Sequence, residues 1–165
     1  MKVFISLLVL SFAVASHAAE ETITNIQSGN LSAGGSFRLD QYSGNRFSTF
    51  DVNTSLGYFP WDRISLGISA SIYNDDQDDT VAIFGPFAQY FFWQDGRTAA
   101  SVLLGYGHGL TDATVSGRLQ TRGTLHYFFS ESVALGPFID FTRVFSRYYN
   151  SFNRVGIGAS FGIYL

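Results

Sequence analysis

The sequence predicts an all-β protein: an eight-stranded, antiparallel, up-and-down transmembrane β-barrel. Three observations carry this expectation. Apolar and polar residues alternate with period two through eight separate stretches, the signature of two-faced strands. The two faces differ in kind, because one is apolar and nearly free of charge while the other holds Gly, Ser and the few charges. Aromatic residues gather at both ends of the stretches, as the two girdles of a bilayer barrel do.

Composition narrows the class before any element is placed. The 9 Tyr, 17 Phe and 2 Trp outnumber the 10 Lys+Arg and 13 Asp+Glu together, which argues against a disordered chain. With no Cys, a disulfide scaffold, a Cys-ligated metal and a cysteine lipid anchor are excluded. A net charge of -3 without a basic cluster argues against nucleic acid as a partner.

The first segment reads as an export signal. Met1-Lys2 is a short basic start, Val3 to Val14 is apolar apart from Ser6 and Ser11, and Ser16-His17-Ala18 places small residues where a signal peptidase reads them. Cleavage is expected after Ala18 or Ala19, so residues 1–19 are the signal peptide. The apolar run is short for a membrane span, which needs roughly 20 residues. Residues 20–30 are then a short periplasmic N-terminal segment, and 31–165 form the barrel.

The strands follow in order. Leu31 to Tyr42 sets Leu31, Ala33, Phe37 and Leu39 against Ser32, Gly34, Ser36, Arg38 and Asp40. Arg46 to Phe59 sets Phe50, Val52, Leu56 and Tyr58 against Asp51, Asn53, Ser55 and Gly57. Arg63 to Tyr73 sets Ile64, Leu66, Ile68, Ala70 and Ile72 against a face of serines and Gly67. Thr80 to Trp93 places Phe84, Ala88, Tyr90 and Phe92 opposite Gln89. Thr98 to His108 places Val102, Leu104 and Tyr106 opposite Ser101, Gly105 and Gly107. Thr114 to Phe129 places Leu119, Leu125 and Tyr127 opposite Arg118, Gln120, Arg122, Thr124 and His126. Val133 to Phe145 places Leu135, Ile139 and Phe141 opposite Asp140 and Thr142. The last, Arg154 to Leu165, sets Val155, Ile157, Phe161 and Ile163 against Gly156, Gly158, Ser160 and Gly162.

Tight turns near Trp61-Asp62, Asp95-Gly96 and Ser130-Glu131 alternate with more polar loops, so each strand joins the next by a hairpin. Pro86 and Pro137, inside strands four and seven, remove a ladder donor and are expected to mark bulges. The offsets from Tyr58-Phe59 to Gly67 recur from Tyr127-Phe128 to Gly136. Gly85-Pro86-Phe87 likewise recurs as Gly136-Pro137-Phe138, and such repetition favours a meander or barrel over mixed α/β.

Which face meets the oil separates a membrane barrel from a soluble, lipocalin-like carrier. The Gly- and Ser-rich polar face is too small and too polar for a soluble hydrophobic core, so the apolar face is expected to form a lipid-facing coat. Its girdle residues would be Tyr58, Trp61, Tyr90, Trp93 and Tyr127 at one rim, and Tyr106, Tyr148 and Tyr149 at the other. An even strand number closes the sheet and leaves no bare edge in the bilayer.

The segments Ser55-Leu56-Gly57-Tyr58-Phe59 with Asp62, Ser65-Leu66-Gly67-Ile68-Ser69 and Gly85-Pro86-Phe87-Ala88-Gln89-Tyr90 resemble motifs of the small bacterial outer-membrane β-barrel family. Gln89 stands where that family usually has Arg. The closing Gly156 to Leu165 resembles the terminal strand read by the outer-membrane assembly machinery, although it ends on Leu165 instead of an aromatic. The resemblance implies location and fold, and a fold alone licenses no activity.

The polar face yields one candidate network. Arg38, Arg118, Arg122 and Arg154 against Asp40, Asp51 and Asp140 are expected to fill the lumen structurally, since eight strands enclose only enough room for their own side chains. The inner glycines would leave volume for water, which keeps open a narrow porin-like channel for water or small solutes. Catalysis finds little support. By parity His108 points outward while Ser116 points inward, and His126 has no nucleophile at short spacing. Asn74 to Asp79 carries four carboxylates without the Gly and terminal Glu of a Ca²⁺ loop, and reads as a solvated acidic loop. The expected protein is therefore a monomeric, non-enzymatic outer-membrane barrel without cofactor or metal. Its partners would be outer-membrane lipid, lipopolysaccharide and the assembly machinery.

Overall fold

The computed structural model describes residues 25–41, 48–74, 80–110, 115–146 and 151–165. Eight strands form a single closed antiparallel barrel in sequence order: β1 (Leu31–Gln41), β2 (Ser48–Trp61), β3 (Ile64–Asn74), β4 (Thr80–Asp95), β5 (Thr98–Gly109), β6 (Val115–Phe128), β7 (Val133–Ser146) and β8 (Phe152–Tyr164). Closure comes from β1 against β8, from Ser32↔Tyr164 to Leu39↔Ile157. It is reinforced beyond the ladder by paired backbone bonds between Leu31 and Leu165, at 2.8 and 2.9 Å.

Period-two alternation has the expected sense. Leu56, Ile68, Leu104, Ile139 and Ile157 are exposed on the outside, and Arg38, Asp51, Arg118 and Asp140 are buried within. A sheet whose apolar side chains point outward has its core face inside out relative to a soluble barrel.

The two prolines do not mark bulges. Pro86 pairs in register with Ile68, and Pro137 with Ala159. Register shifts fall instead at Tyr58/Trp61, Phe91/Trp93 and Val115/Gly117. Each Pro simply leaves a gap in the ladder on its other side: β4 pairs β5 at Phe84↔His108 and resumes at Phe87↔Gly105. Likewise, β7 pairs β6 at Thr124↔Phe138 and next at Tyr127↔Leu135. The preceding glycine makes this tolerable. A Cβ on Gly85 would collide with the Tyr106 carbonyl, and one on Gly136 with the Leu125 carbonyl, so the neighbouring backbone approaches where no side chain stands.

At the hairpin-turn end, the N-terminal segment folds across the barrel mouth. Gly29 N–H donates to Phe59 O (2.8 Å), Phe59 N–H to Asn30 O (2.9 Å), Ser28 N–H to Asp62 Oδ1 (2.9 Å) and Arg63 N–H to Ile26 O (3.1 Å). Arg63 adopts a positive φ of 66°, and its carbonyl accepts from Phe91 N–H at 2.9 Å. The left-handed turn thus joins the N-terminal segment to β4.

Candidate functional site: the barrel interior

Among the described residues the interior holds an ionic layer, an aromatic layer and a smaller apolar cluster of Val81, Ile83 and Val144. The ionic layer lies across the middle of the barrel, contributed by β1, β2, β6 and β7. Arg38 Nη1 lies 2.9 Å from Asp140 Oδ1, and Arg38 Nη2 lies 3.3 Å from Asp51 Oδ2. Arg118 Nη1 donates to Asp51 Oδ2 at 2.6 Å, and Arg122 Nη2 stands 3.5 Å from Asp140 Oδ2. Each aspartate therefore serves two arginines. Neutral partners complete the set: Gln120 Nε2 donates to Asp140 Oδ2 (2.8 Å), Arg38 Nη1 to Thr142 Oγ1 (3.2 Å) and Arg122 Nη1 to Ser36 Oγ (2.6 Å). The Arg122 guanidinium also stacks over the Phe138 ring at 3.9 Å. Arg154 is buried on β8.

These contacts bring together residues up to 104 positions apart, as in Arg38 with Thr142. Register does the positioning. Arg38 faces Asp51 across β1–β2, and Arg122 faces Asp140 across β6–β7, each as a direct Cα pair. In such a setting charges out of water need both ion pairing and hydrogen bonds.

Of the other residues assigned to the network, Asp40 lies on β1 with a side chain outside the described set. Among the girdle residues, Tyr58, Trp61, Tyr90, Trp93 and Tyr106 are exposed on the outer surface. Tyr127 is half-buried, edge-on to Phe129 at 5.0 Å. Tyr148, Tyr149 and the acidic stretch 75–79 lie outside the described residues.

The aromatic layer was not anticipated. Phe59, Phe91, Phe128 and Tyr164 point inward at the turn end and pack with Ile26, Ala99 and Ala134. Ring centroids run from 5.3 Å for Phe128–Tyr164 to 6.3 Å for Phe59–Tyr164. The barrel thus has an apolar core at one end as well as an apolar coat, which corrects the expectation of a coat alone. The missed signal was the run of consecutive aromatics, in Tyr58-Phe59, Tyr90-Phe91-Phe92 and Tyr127-Phe128-Phe129. Neighbours on a strand face opposite ways, so one of each run must point in.

The inner glycines play two parts. Gly105 and Gly107 border a cavity, while others lie against rings and neighbouring backbone. A Cβ on Gly67 would meet Phe87 Cε1 at 2.7 Å, one on Gly158 would meet Phe138 Cζ at 2.5 Å, and one on Gly162 would meet the Tyr164 ring at 2.8 Å. A cavity of about 20 Å³ lies beside Arg118, Gln120 and Arg122.

Folding supplies His126 with the partner that its sequence neighbourhood lacks. Its Nε2 lies 2.8 Å from Ser101 Oγ, which accepts from the Gln89 amide at 2.8 Å. Ser101 is fully buried, and His126 packs 5.1 Å from the Phe91 ring and edge-on to Tyr164. The arrangement ties β4, β5 and β6 together inside the barrel. Gln89, the departure from the family motif, is what completes it. His108 is exposed on the outer surface, away from Ser116, which is held to Phe145 O at 3.1 Å.

Three solved structures share this geometry. The N-terminal β-barrel domain of Pseudomonas aeruginosa OprF superposes with a TM-score of 0.54 at 18% identity, over 83% of this chain and 100% of that one. Neisserial surface protein A gives 0.56 at 14%, over 82% and 96%. A de novo designed transmembrane β-barrel gives 0.50 at 15%, over 83% and 98%. This chain has the fold of the eight-stranded outer-membrane barrels. No family model and no curated protein matches it. At these identities the likeness is one of architecture, so the ionic and aromatic layers have to be read from this chain's own residues.

Proposed function

We propose that this chain is an exported, integral protein of the bacterial outer membrane with a structural and surface-interaction role, its lumen closed by its own side chains. The observation that carries this reading is the occupied interior. From the middle of the barrel to the turn end stand the Arg38–Asp140–Arg122 and Arg38–Asp51–Arg118 ion pairs, then the aromatic layer, then Ile26 and the N-terminal segment. A closed lumen leaves the outer surface and the loops as the working parts. The membrane assignment is supported by the continuous apolar exterior, with Leu104 54% and Ile157 55% exposed, which water would not tolerate over so large a patch.

On this reading the signal peptide is removed after Ala18 or Ala19, and the turn end with its N-terminal segment faces the periplasm. Lipid and lipopolysaccharide surround the girdles. The β8 strand engages the assembly machinery before it closes on β1, and the closed barrel stands as a monomer because no strand edge remains to pair. A soluble carrier would need an internal ligand volume far above the 20 Å³ cavity.

The second reading, a narrow channel for water or small solutes, is favoured by one observation: Asn53, Gln120 and two arginines border that cavity on one side. Reconstitution into planar bilayers separates the two. The closed-lumen reading expects no unit conductance steps, and reproducible steps from the purified barrel overturn it in favour of the channel.

A further inference from the structure

The cavity deserves a chemical reading of its own, which does not depend on where the barrel resides. It is bordered by Arg118, Arg122, Gln120, Asn53, Ser55 and Ser69 on its polar side, and by Ile83, Leu103, Tyr106 and the bare faces of Gly105 and Gly107 on the other. Every charged group on this border is a cation, and no described carboxylate borders the cavity. The two aspartates nearby are already shared between arginines, Asp51 by Arg38 and Arg118, Asp140 by Arg38 and Arg122. Arg122 is 8% exposed and its Nε–H finds no acceptor, although a buried guanidinium donor left unpaired is costly. Gln120, Asn53, Ser55 and Ser69 add amides and hydroxyls to the wall, and Ile83 and Leu103 make the rest of it apolar. A volume of about 20 Å³ admits a single particle little larger than a water, for which about 10–15 Å³ suffices.

We propose that this cavity is a binding site for one halide ion, chloride in the cell, bordered by Arg118 and Arg122 inside the barrel. The ion supplies the negative charge that the border lacks and an acceptor for its donors. A water molecule would fill the same volume without the charge.

The test uses the full mature barrel refolded in detergent. Its melting temperature is measured in sodium chloride, bromide, sulfate and gluconate at equal ionic strength, and crystals grown in bromide are examined for anomalous scattering. The expected result is a bromide peak in the cavity and a melting temperature that rises with chloride or bromide but not with sulfate or gluconate. Gly105→Ala gives a fold-compatible control. Its new methyl makes only ordinary contacts, at 3.5 Å to Leu103 Cδ2 and 3.7 Å to Phe87 Cβ, while occupying part of the cavity. That variant should fold, keep its heat-modifiable gel migration and lose the halide response. An absent bromide peak, an equal rise in sulfate, or an undiminished halide response in Gly105→Ala each overturns the proposal and leaves water as the occupant.

Discussion

Asp140 shows how much one side chain can hold. It accepts from Arg38 at 2.9 Å on both oxygens and from Gln120 at 2.8 Å, with Arg122 at 3.5 Å. Removing it leaves two arginines in the interior without that carboxylate. Replacing one partner of a buried pair costs about 3–5 kcal/mol, because the remaining charge has no water to turn to. Asp140→Ala should therefore unfold at markedly lower urea concentration than the parent in lipid vesicles, and an unchanged midpoint would show that the ionic layer contributes no net stability. On the opposite surface the sign of the argument inverts. Leu104, exposed on the outer face of β5 near mid-strand, should tolerate Ile or Phe but not Arg. A charge at the bilayer midplane of a barrel costs roughly 2–4 kcal/mol. Leu104→Arg should lower the folding free energy in vesicles by that amount, and a loss below about 0.5 kcal/mol would argue against lipid contact there.

At the scale of the element, β4 and β7 use the same device. A Gly-Pro pair interrupts the ladder on one side without shifting the register, and the following Phe87 or Phe138 turns inward over glycines of neighbouring strands. The neighbouring backbone then sits where a side chain would otherwise stand. Gly136→Ala should cost about 1–3 kcal/mol through overpacking against the Leu125 carbonyl. Gly123→Ala on β6 is the matched control, since its only near neighbour is Ile139 Cγ2 at 3.8 Å, and it should change stability by less than about 0.5 kcal/mol. Equal effects of the two, measured by chemical denaturation, would mean that strand entropy rather than close approach decides. The N-terminal segment behaves as a ninth element of the packing. Ile26 is 2% exposed within the aromatic layer, and the Asn25 amide reaches Glu131 O (3.0 Å) and Tyr164 O (3.3 Å). Ile26→Ala should cost about 2 kcal/mol or more and speed proteolysis near the N-terminus, and protection equal to the parent's would remove the clasp from the account.

For the molecule as a whole, closure is the decisive property. A membrane interior leaves no solvent for a bare strand edge, so the β1–β8 seam has to pair completely. The seam is short in sequence terms but spans the chain, and Leu31–Leu165 and Asn25–Tyr164 bonds lock its turn end. A closed barrel of this kind should migrate on a gel as a compact species until boiled, then shift to the position of the unfolded chain. Identical migration before and after boiling would contradict a stable closed barrel.

Strand number, strand faces and hairpin order were all legible before any coordinates, because period-two alternation and turn chemistry are local properties. Six of the seven expected lumen charges, Arg38, Asp51, Arg118, Arg122, Asp140 and Arg154, are buried inside for the same reason: parity fixes the face. Parity does not fix partners. That Arg38 meets Asp140, that Ser101 meets His126 and that Ile26 meets Tyr164 depends on which strands become neighbours and at what register, and on closure joining the first strand to the last. Nor could spacing say whether an inner glycine leaves a void or receives a ring from across the barrel. The sequence by itself determined a two-faced, eight-stranded chain that would close with its apolar face outward. Only the tertiary structure decided which side chains meet inside, ionic in the middle and aromatic at the turn end, because packing is a matter of volumes brought together from strands far apart in the chain.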